Sequence, residues 1–504
     1  MVTLTIYNIN KGIGWASSGV EYAQIYRYRI FKELSLGCKF IFTDLILNEN
    51  MAHFTENIGF SNEDVIWMYL YFTDIPLCQT TVSLSQIKEK LSDDVEEEKL
   101  DNRRVKLIYD QGKQFAMCYL SREEEDFVDR VEYTANNKLI RKDFFNRYKF
   151  LTEYYAPNNN KAQLYMRRYF NQDGTTAYEE FINQGSSMYR FKDRVIYSTE
   201  ELVAYFIEKL VLTDTDIVLL DRADGIAQGL LDHLNGAKLG SVVHAEHYNQ
   251  SLSNDQNILW NNHYEYPFTH YEDFDFYITS TPSQTQRLMD QFDYYYGVHP
   301  KIYTIPVGSV DQLMEPDNNM NSYAMMTASR LAGEKNIDWL IEAVVKVHEQ
   351  IPQVTFDIYG EGGKRNALQD QIGRFNAEDY IQLKGHQALE NIYPQYSLYL
   401  TASTSEGFGL TLVEALSAGQ AMIGLDVPYG NPTFIDDGKN GYLLPFKRGM
   451  ERNVIVNSFA EAILSYFQSA DRRAMREHSY SIAKQYLHDQ VEGAWRQLVE
   501  EVKA

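Results

Sequence analysis

Short apolar strands alternate with amphipathic helical stretches at the beginning of this chain, and this order restricts the fold more than any other feature. The strand Leu4–Ile9 is followed by the turn KGIGWASSG, an amphipathic run from Val20 to Leu34, and a second strand at Lys39–Asp44. A strand, a helix and a strand in this order form a βαβ unit, whose strands lie parallel in one sheet. The pattern then stops, and the charged stretch at residues 88–109 predicts a solvated helix or loop.

The same alternation returns twice further along the chain. It resumes with the strands DIVLLD, SVVH, Tyr277–Thr279 and KIYTIPV. A second block begins near Ser322 with AMMTASR and continues through TFDIYG, YIQLKG, SLYLTAS and QAMIGLD, with a helical stretch between successive strands. Open parallel sheets bind ligands at the carboxyl ends of their strands, so two such sheets facing each other would form a deep cleft.

The intervening region, from about Val105 to Ser198, has the pattern of an antiparallel sheet. Seven strand-like segments, from KLIYD to SMYRF, are separated by the turn signals DQGK, NNK, PNNN, NQDG and NQGS. This pattern predicts a β-meander inserted into the first α/β domain. Exposed edges and aromatic faces favour docking of a partner or acceptor over a purely structural role.

The length of 504 residues requires more than one domain, because single cores stop growing at about 250–300 residues. We predict a first Rossmann-like domain in two parts, residues 1–76 and 201–315, with the meander inserted at residues 77–200. Residues 316–484 form a second Rossmann-like domain. Residues 485–504 are predicted to be a C-terminal helix that crosses back to the first domain.

Composition excludes several classes of protein. The 70 acidic and 47 basic residues give a net charge of −23, which disfavours nucleic acid as a partner. No apolar run reaches the roughly 18 residues of a membrane span, and MVTLTIYNIN is typical of a strand rather than a signal peptide. Three cysteines without a CxxC motif predict neither a disulfide framework nor a zinc site. We expect a cytoplasmic enzyme, with peripheral attachment at the inner face of the cell membrane as the alternative.

The glycine loop between the first strand and the first helix is a candidate phosphate site. Glycines let a ligand approach the backbone, and a helix N-terminus favours anions. Gly12, Gly14 and Gly19 give the spacing GxGxxxxG, which matches neither the dinucleotide fingerprint nor a P-loop. A tight turn without a ligand therefore stays the alternative.

Two cations follow the first strand of the second block, in the segment SRLAGEK. Arg330 and Lys335 would overhang the sheet edge, where two positive charges suit the diphosphate of a leaving group. Taken alone the signal is weak, because an arginine and a lysine in a loop are usually surface charges.

The segment TSEGFGLTLVEALSAG carries the strongest signal. Glu406 precedes a glycine-containing turn, and Glu414 lies eight residues later in the helix that the turn opens. The first carboxylate can bind sugar hydroxyls and the second a ribose diol, while the first N–H groups of the helix face the cleft. Glutamates at this spacing are also common on solvated helices, but their position directly after SLYLTAS favours the functional interpretation.

Together these elements resemble the retaining glycosyltransferases of family 4. GIGWASSGVEYAQ, VVHAEH, TASRLAGEKNIDWL, LKGH, LTASTSEGFGLTL and FIDDGKNGYLLP are similar to the catalytic GtfA subunits of the bacterial O-GlcNAc transferases that glycosylate serine-rich-repeat adhesins. The similarity covers nearly the whole chain, including the meander. It implies an α/β, GT-B fold of two Rossmann-like domains with an inserted antiparallel β-meander, in which residues 316–484 bind the nucleotide sugar.

The resemblance also implies residue roles. The implied catalytic residues are Arg330, Lys335, Glu406 and His244, although a lone histidine is more often structural. The implied donor-binding residues are Gly14, Gly19, Val20, Glu21, Tyr22, His244, Arg330, Lys335, His386, Gln387, Glu406, Gly407, Phe408, Gly409, Leu410 and Glu414. Gln387 departs from the family, where a small residue is usual. The implied role in donor binding is unaffected if this position contacts the donor through its backbone and not through its side chain.

The implied reaction is transfer of GlcNAc or Glc from a UDP-sugar to Ser and Thr hydroxyls of the adhesin, within a complex with a companion GtfB-like subunit. We expect no metal or other cofactor, because the Asp-rich segments lie in charge runs or turns and no DxD motif suits a metal. Arg330, Lys335 and helix amides would stabilise the departing UDP. Retention then implies front-face attack, with the leaving phosphate accepting the proton and Glu406 not acting as a nucleophile.

Other functions stay open at this point. The chain could be a non-catalytic peptide-binding GT-B subunit, although an intact set of donor residues argues against this. It could act on a non-protein acceptor. It could also be a phosphorylase, which needs a lysine for pyridoxal phosphate, or an epimerase, which converts a UDP-sugar without an acceptor.

Overall fold

The computed structural model describes residues 4–13, 19–91, 94–121, 126–159, 161–317 and 320–503. The chain forms two compact units: unit 1 comprises Met1–Ser241 and Asn262–Asp275, and unit 2 comprises Val242–Asn261 and Phe276–Ala504. None of the helices in the described ranges combines the length and apolar character that a membrane span requires.

Unit 1 contains a parallel sheet with strands in the order β15–β14–β1–β2–β3. These strands are β1 (Thr5–Asn10), β2 (Gly37–Phe42), β3 (Val65–Trp67), β14 (Ile217–Leu220) and β15 (Lys238–Val243), of which the last two residues of β15 are counted in unit 2. The helices of unit 1 are α1 (Gly19–Glu33), α2 (Met51–Asn57), α3 (Met68–Tyr71), α4 (Leu84–Lys88), α5 (Thr199–Leu210), α6 (Ala227–Leu231) and α7 (Asn262–Thr269). The expectation that the α/β pattern stops after the second strand is wrong, because the three-residue strand β3 pairs parallel with β2. Its brevity hides it in the sequence.

Between β3 and β14, the chain of unit 1 forms a ten-stranded antiparallel sheet. Its strands, β4 to β13, are hydrogen-bonded neighbours in chain order. Its strands are β4 (Glu96–Lys99), β5 (Arg104–Tyr109), β6 (Gln114–Leu120), β7 (Val128–Ala135), β8 (Lys138–Phe145), β9 (Lys149–Asn158), β10 (Lys161–Phe170), β11 (Thr176–Asn183), β12 (Ser186–Arg190) and β13 (Val195–Ile196). This sheet is the predicted β-meander. Tyr178 anchors it to the α/β part, because its hydroxyl donates to the Tyr69 carbonyl at 2.8 Å.

The interpretation of residues 88–109 as a solvated helix or loop is wrong for residues 96–99, whereas the strand predicted at KLIYD is confirmed. Residues 96–99 form the edge strand β4, and residues 104–109 form β5 beside it. All four residues of β4 are exposed, and three of them are glutamates. Charged side chains protect an edge strand from pairing with other chains, so here the charge run marks an edge strand and not the absence of a sheet.

Unit 2 contains a six-stranded parallel sheet in the order β20–β19–β18–β21–β22–β23, and also the parallel strands β16 and β17. The strands are β16 (Phe276–Thr279), β17 (Ile302–Thr304), β18 (Ala324–Ala328), β19 (Thr355–Tyr359), β20 (Ile381–Gly385), β21 (Leu398–Thr401), β22 (Ala421–Leu425) and β23 (Gly441–Leu444). The helices are α8 (Pro282–Tyr296), α9 (Ile337–His348), α10 (Arg365–Arg374), α11 (Leu410–Ser417), α12 (Gly430–Phe434), α13 (Arg452–Gln468), α14 (Arg472–Ala483) and α15 (His488–Lys503).

The six-stranded sheet is covered on both faces, as its continuous apolar strands require. Successive residues of β18 point to opposite faces: Met325 packs with Leu340 of α9 and Phe459 of α13, whereas Met326 packs with Leu412 of α11. The fold class is thereby confirmed as α/β with Rossmann-like sheets and an inserted antiparallel sheet. The predicted boundaries 1–76, 77–200, 201–315, 316–484 and 485–504 stay predictions.

Candidate functional site

The carboxyl edge of the six-stranded sheet gathers most of the predicted residues. The loop after β18 carries Arg330 and a 3₁₀ turn, Gly333–Lys335. The loop after β20 carries His386 and Gln387, and the loop after β21 leads through Glu406 into α11. Since these strands are parallel and their order is β20–β19–β18–β21, the three loops leave the same edge.

Lys335 and Glu406 form an ion pair at this edge. Nζ of Lys335 lies 2.7 Å from Oε2 of Glu406, and the two side chains are 15% and 18% exposed. Further hydrogen bonds join the same loops: Thr404 N–H donates to the Glu334 carbonyl at 3.0 Å, and Asn336 Nδ2 donates to the Ala402 carbonyl at 3.0 Å. The residues predicted from two separate motifs therefore meet in one place.

Arg330 lies at the same edge but is held less firmly. Its side chain is 63% exposed, and its guanidinium pairs with Glu334 at 3.3 Å. An exposed pair of this kind contributes at most about 1 kcal/mol, so an incoming anion can replace Glu334 as the partner of Arg330.

The turn Glu406–Gly409 is shaped by close backbone packing. A Cβ at Gly407 would lie 2.7 Å from the carbonyl oxygen of His244, so this position must be glycine. Gly409 has a φ of +90° and directly precedes the first residue of α11, Leu410. The carbonyl of Glu406 accepts hydrogen bonds from the N–H groups of Tyr429 and Gly430, at 2.7 and 2.8 Å.

Phe408 contributes to this turn differently from its neighbours. Its side chain is buried and packs against Phe434 and Tyr486, with ring centroids 5.0 and 5.9 Å apart. Only the backbone of Phe408 can therefore meet a ligand. At the start of α11 the first N–H groups have no partner within the helix, which makes this end suitable for negative charge.

Glu414 lies on the second turn of α11 and is half-buried. The hydroxyl of Tyr393 donates to its Oε2 at 2.7 Å. Burial raises the pKa of Glu414 to about 7, and Glu390 adds to the rise, whereas the Tyr393 hydrogen bond opposes it. The carboxyl group is consequently divided between its two protonation states near neutral pH.

His386 and Gln387 are exposed in the loop after β20. Nε2 of Gln387 donates to the Lys384 carbonyl at 3.0 Å. In the described part of the chain, neither residue forms a hydrogen bond or ion pair with Arg330, Lys335, Glu406 or Glu414.

The histidines of HAEH differ in their surroundings. His244 directly follows β15 and is half-buried, with its carbonyl against Gly407. His247 is fully buried between Tyr429, whose hydroxyl lies 3.0 Å from Nδ1, and Gln291, whose Oε1 lies 2.7 Å from Nε2. Burial lowers the pKa of His247 to about 4, so this ring is neutral at physiological pH. Sequence analysis assigned a role to His244 and none to His247, because nothing in the short motif that holds both histidines indicates that their surroundings differ.

The predicted residues of unit 1 lie at the start of α1. Gly14 lies outside the described residues. Gly19 is the first residue of α1, Val20 and Glu21 are buried, and Tyr22 is 44% exposed.

A buried polar network joins Gly12, α1 and the strands beside it. Arg27 of α1 pairs with Asp221, which follows β14, at 2.6 Å. Gln24 donates to the same carboxylate at 2.8 Å, and Asn10 donates to Gln24 and to the Gly12 carbonyl. This network connects α1 with the carboxyl ends of β1 and β14.

A cavity of about 380 Å³ at the strand ends of unit 1 contains titratable residues that the sequence did not single out. Its lining includes Lys11, Asp44, Asp224 and His263, and Nδ1 of His263 lies 2.6 Å from Oδ2 of Asp224. Burial raises the pKa of Asp44, and Lys11 opposes the rise. Asp44 and Asp224 follow strands that the sequence did predict, so the rule that ligands bind at strand ends could have found them.

Comparison with known proteins connects these features to one family. Two family models match the chain: "GtfA extended beta-sheet domain" over residues 96–193 and "Glycosyl transferases group 1" over residues 312–480. The chain is 50% identical over 501 residues to the GtfA subunit of the UDP-N-acetylglucosamine--peptide N-acetylglucosaminyltransferase of Streptococcus gordonii, with 99% of each chain covered.

Two solved structures agree with this over the whole length. The crystal structure of the pneumococcal O-GlcNAc transferase GtfA in complex with UDP and GlcNAc is 46% identical, with a TM-score of 0.94 and coverage of 100% of this chain and 99% of that one. A crystal structure of a GtfA/B complex is 50% identical, with a TM-score of 0.94 and 99% of both chains covered.

Proposed function

This chain belongs to the family of GtfA subunits of UDP-N-acetylglucosamine--peptide N-acetylglucosaminyltransferases, and on that premise we propose that it transfers a sugar from a UDP-sugar to Ser and Thr hydroxyls of a polypeptide. The donor is UDP-GlcNAc, with UDP-Glc as the alternative. The observation that carries the proposal is the Lys335–Glu406 pair beside Arg330 and the start of α11.

Each of these groups has a role that its chemistry suits. Lys335, Arg330 and the first amides of α11 bind the diphosphate and stabilise the negative charge that develops as it leaves. Glu406 accepts hydrogen bonds from sugar hydroxyls once the donor displaces it from Lys335, and Glu414 accepts them from the ribose. His244 contacts the donor sugar. His386, Gln387 and the Gly14 and Gly19–Tyr22 segments complete the donor contacts.

The reaction exchanges one bond at the anomeric carbon for another. The acceptor oxygen forms a bond to that carbon on the face from which the bond to the diphosphate oxygen breaks, so the configuration is retained. The departing diphosphate takes the proton of the acceptor hydroxyl. Glu406, held by Lys335 in the resting site, acts by binding and not as a nucleophile.

We also propose that this transfer requires no metal. Two D-x-D stretches occur in unit 1, Asp214–Asp216 and Asp273–Asp275, and their second carboxylates have structural partners. Asp216 accepts from the Thr5 and Thr213 N–H groups at 3.1 and 2.9 Å. Asp275 accepts from Leu239 N–H and Lys238 Nζ at 2.8 and 2.9 Å. Because these two carboxylates already have protein partners, they are poorly suited to hold a metal. This supports our proposal that Arg330 and Lys335, and not a metal, stabilise the departing UDP.

We propose that the acceptor is a serine-rich-repeat adhesin, and that the enzyme works in the cytoplasm or at the inner face of the cell membrane. A companion GtfB-like subunit docks on the ten-stranded sheet. Two large apolar side chains of that sheet support this docking surface, since Ile140 and Tyr165 are 41% and 44% exposed. Changing both to Glu should eliminate co-purification with the companion and leave donor hydrolysis unchanged. Phe375→Glu, at a similarly exposed site in unit 2, is the control.

The function is tested by incubating the chain and its companion with a Ser/Thr-rich repeat polypeptide and a panel of UDP-sugars. We expect the mass of the polypeptide to increase by whole GlcNAc residues with UDP-GlcNAc, and the linkage to be α by NMR. If the mass of the polypeptide instead increases by whole glucose residues with UDP-Glc, the donor would be assigned as UDP-Glc. A UDP-sugar that is isomerised without any change to the polypeptide would identify an epimerase and contradict the proposal.

A further inference from the structure

Three tyrosines at intervals of three residues lie in the segment YPQYSLY, which leads into β21 of the six-stranded sheet. Tyr393, Tyr396 and Tyr399 are all buried, and each hydroxyl makes a hydrogen bond to a different group. Tyr396 donates to Asp357 at 2.6 Å, and Tyr399 donates to the Ala328 carbonyl at 2.9 Å. Only Tyr393 of the three reaches a carboxylate of the proposed donor site.

Tyr393 is held firmly in the position from which it reaches Glu414. It begins the 3₁₀ turn Tyr393–Gln395, and its side chain is packed within the apolar core on the α11 face of the sheet. Nε2 of the buried Gln420 donates to its carbonyl at 2.7 Å. A phenol fixed in this way presents its hydroxyl to Glu414 Oε2 before any ligand arrives.

A ribose diol requires a carboxylate that accepts two hydrogen bonds, and a protonated carboxyl group has lost part of this capacity. Glu390 and the burial of the site favour the protonated form of Glu414, and the Tyr399 hydroxyl is a further titratable group near it. The Tyr393 hydroxyl is the group that favours the ionised form. It also occupies one oxygen, which leaves Oε1 for a ligand.

We propose that Tyr393 is a positioning residue of the donor site, whose hydroxyl fixes Oε2 of Glu414 so that the other oxygen accepts hydrogen bonds from the vicinal hydroxyls of a nucleotide ribose. This rests on the proposed function, because it assumes that the edge of unit 2 binds a UDP-sugar. Nothing in the sequence motif around Glu414 indicates this role, since Tyr393 precedes it by 21 residues and lies in a different loop.

The test measures how much the ribose hydroxyls contribute to binding. UDP and 2′,3′-dideoxy-UDP are titrated into the wild-type chain, Tyr393→Phe and the control Tyr396→Phe, which loses a buried hydroxyl from the same segment without altering Glu414. We expect the wild type and the control to prefer UDP by about tenfold or more, and Tyr393→Phe to lose most of that preference. Loss of general affinity with an unchanged preference would make Tyr393 a structural residue and overturn the proposal.

The pH dependence gives a second readout. Because the pKa of Glu414 is raised to about 7, UDP affinity of the wild type should fall as the pH falls through that value. Removing the hydroxyl removes support for the ionised form, so in Tyr393→Phe the fall should begin at a higher pH. An unchanged profile would contradict the proposal. A wild-type chain that does not bind UDP would refute the proposed function itself, and a wild type that binds UDP without preferring its ribose hydroxyls would refute only the role of Glu414 and Tyr393.

Discussion

Two ion pairs, one in each unit, have similar geometry but different surroundings. Arg27 and Asp221 in unit 1 are 2.6 Å apart, with side chains 2% and 0% exposed. Lys335 and Glu406 in unit 2 are 2.7 Å apart, with side chains 15% and 18% exposed. Distance alone does not separate a structural pair from a functional one.

What separates them is how the remaining hydrogen-bonding groups are used. Asp221 also accepts from Gln24, and Arg27 also donates to Asn8, so both charges are enclosed in a network. Lys335 and Glu406 stand at a strand edge where solvent and ligand can reach them. A buried pair that loses one partner leaves an uncompensated charge in the core, whereas an accessible pair can exchange its partner for a substrate. We infer that the first pair maintains the fold and that the second serves to bind the donor.

The largest effect is expected from breaking the buried pair. Arg27→Ala leaves Asp221 charged and buried, which should lower the free energy of unfolding by about 3–5 kcal/mol. Urea denaturation followed by circular dichroism measures it. Arg29→Ala is the matched control on the same helix, because the Arg29–Glu33 pair is 47% and 40% exposed and should change stability by less than about 1 kcal/mol. Equal effects of the two substitutions would show that burial does not distinguish these pairs.

Breaking the accessible pair should affect activity instead. Lys335→Ala should remove the phosphate contact that we propose for this residue, which would be worth about 3 kcal/mol in the transition state, or roughly 10²-fold in kcat/KM for transfer. The unfolding midpoint should stay close to that of the wild type. Lys346→Ala, which removes an exposed lysine whose Nζ donates to Asn457, should change neither quantity. Normal transfer by Lys335→Ala would remove this residue from the site.

A smaller loss is expected for the second cation. Arg330 is more exposed than Lys335, so solvent should weaken the diphosphate contact that we propose for it. We expect Arg330→Ala to lower kcat/KM for transfer by about 10–100-fold, with the donor KM raised, and Arg330→Lys to recover part of the loss. Steady-state kinetics at saturating acceptor measure both. An Arg330→Ala enzyme slower than Lys335→Ala would reverse the proposed order of the two cations.

No effect is expected from removing divalent metals. If Lys335 and Arg330 supply the positive charge at the leaving group, as we propose, transfer in excess EDTA should match transfer in its absence. Recovery of a lost activity by added Mg²⁺ or Mn²⁺ would show that these cations are not sufficient.

The sequence was informative where a local pattern determines the structure. Alternating apolar strands and helices predicted the parallel sheets, and regularly spaced turn signals predicted the meander. Edge strands were harder: the charges of Glu96–Lys99 hid a strand because charge is also what protects an edge. Glu406 and Lys335 were each found from their own motifs, but their contact was not, because it joins residues 71 apart.

Buried polar contacts were the least predictable part of the site. Arg27 and Asp221 are 194 residues apart, and no sequence motif around either residue indicates that the two form a pair. Tyr393 contacts Glu414, and His247 contacts Tyr429, only because the fold brings them together. In the sequence, each could equally well be an ordinary residue of the core. The sequence shows which polar residues follow the strands and so lie at a sheet edge. Which of these residues are buried is determined by the packing of the fold.

Titration of the wild-type chain, Lys335→Ala and Glu406→Ala with UDP, followed by transfer assays on the same preparations, tests the central claim most directly. If Lys335 serves the diphosphate and Glu406 the sugar, Lys335→Ala should bind UDP about tenfold or more weakly. Glu406→Ala should bind UDP at least as well as the wild type and yet lose transfer by about 10²-fold. UDP affinity that is unchanged in Lys335→Ala, or normal transfer by Glu406→Ala, would contradict the assignment of this ion pair to the donor.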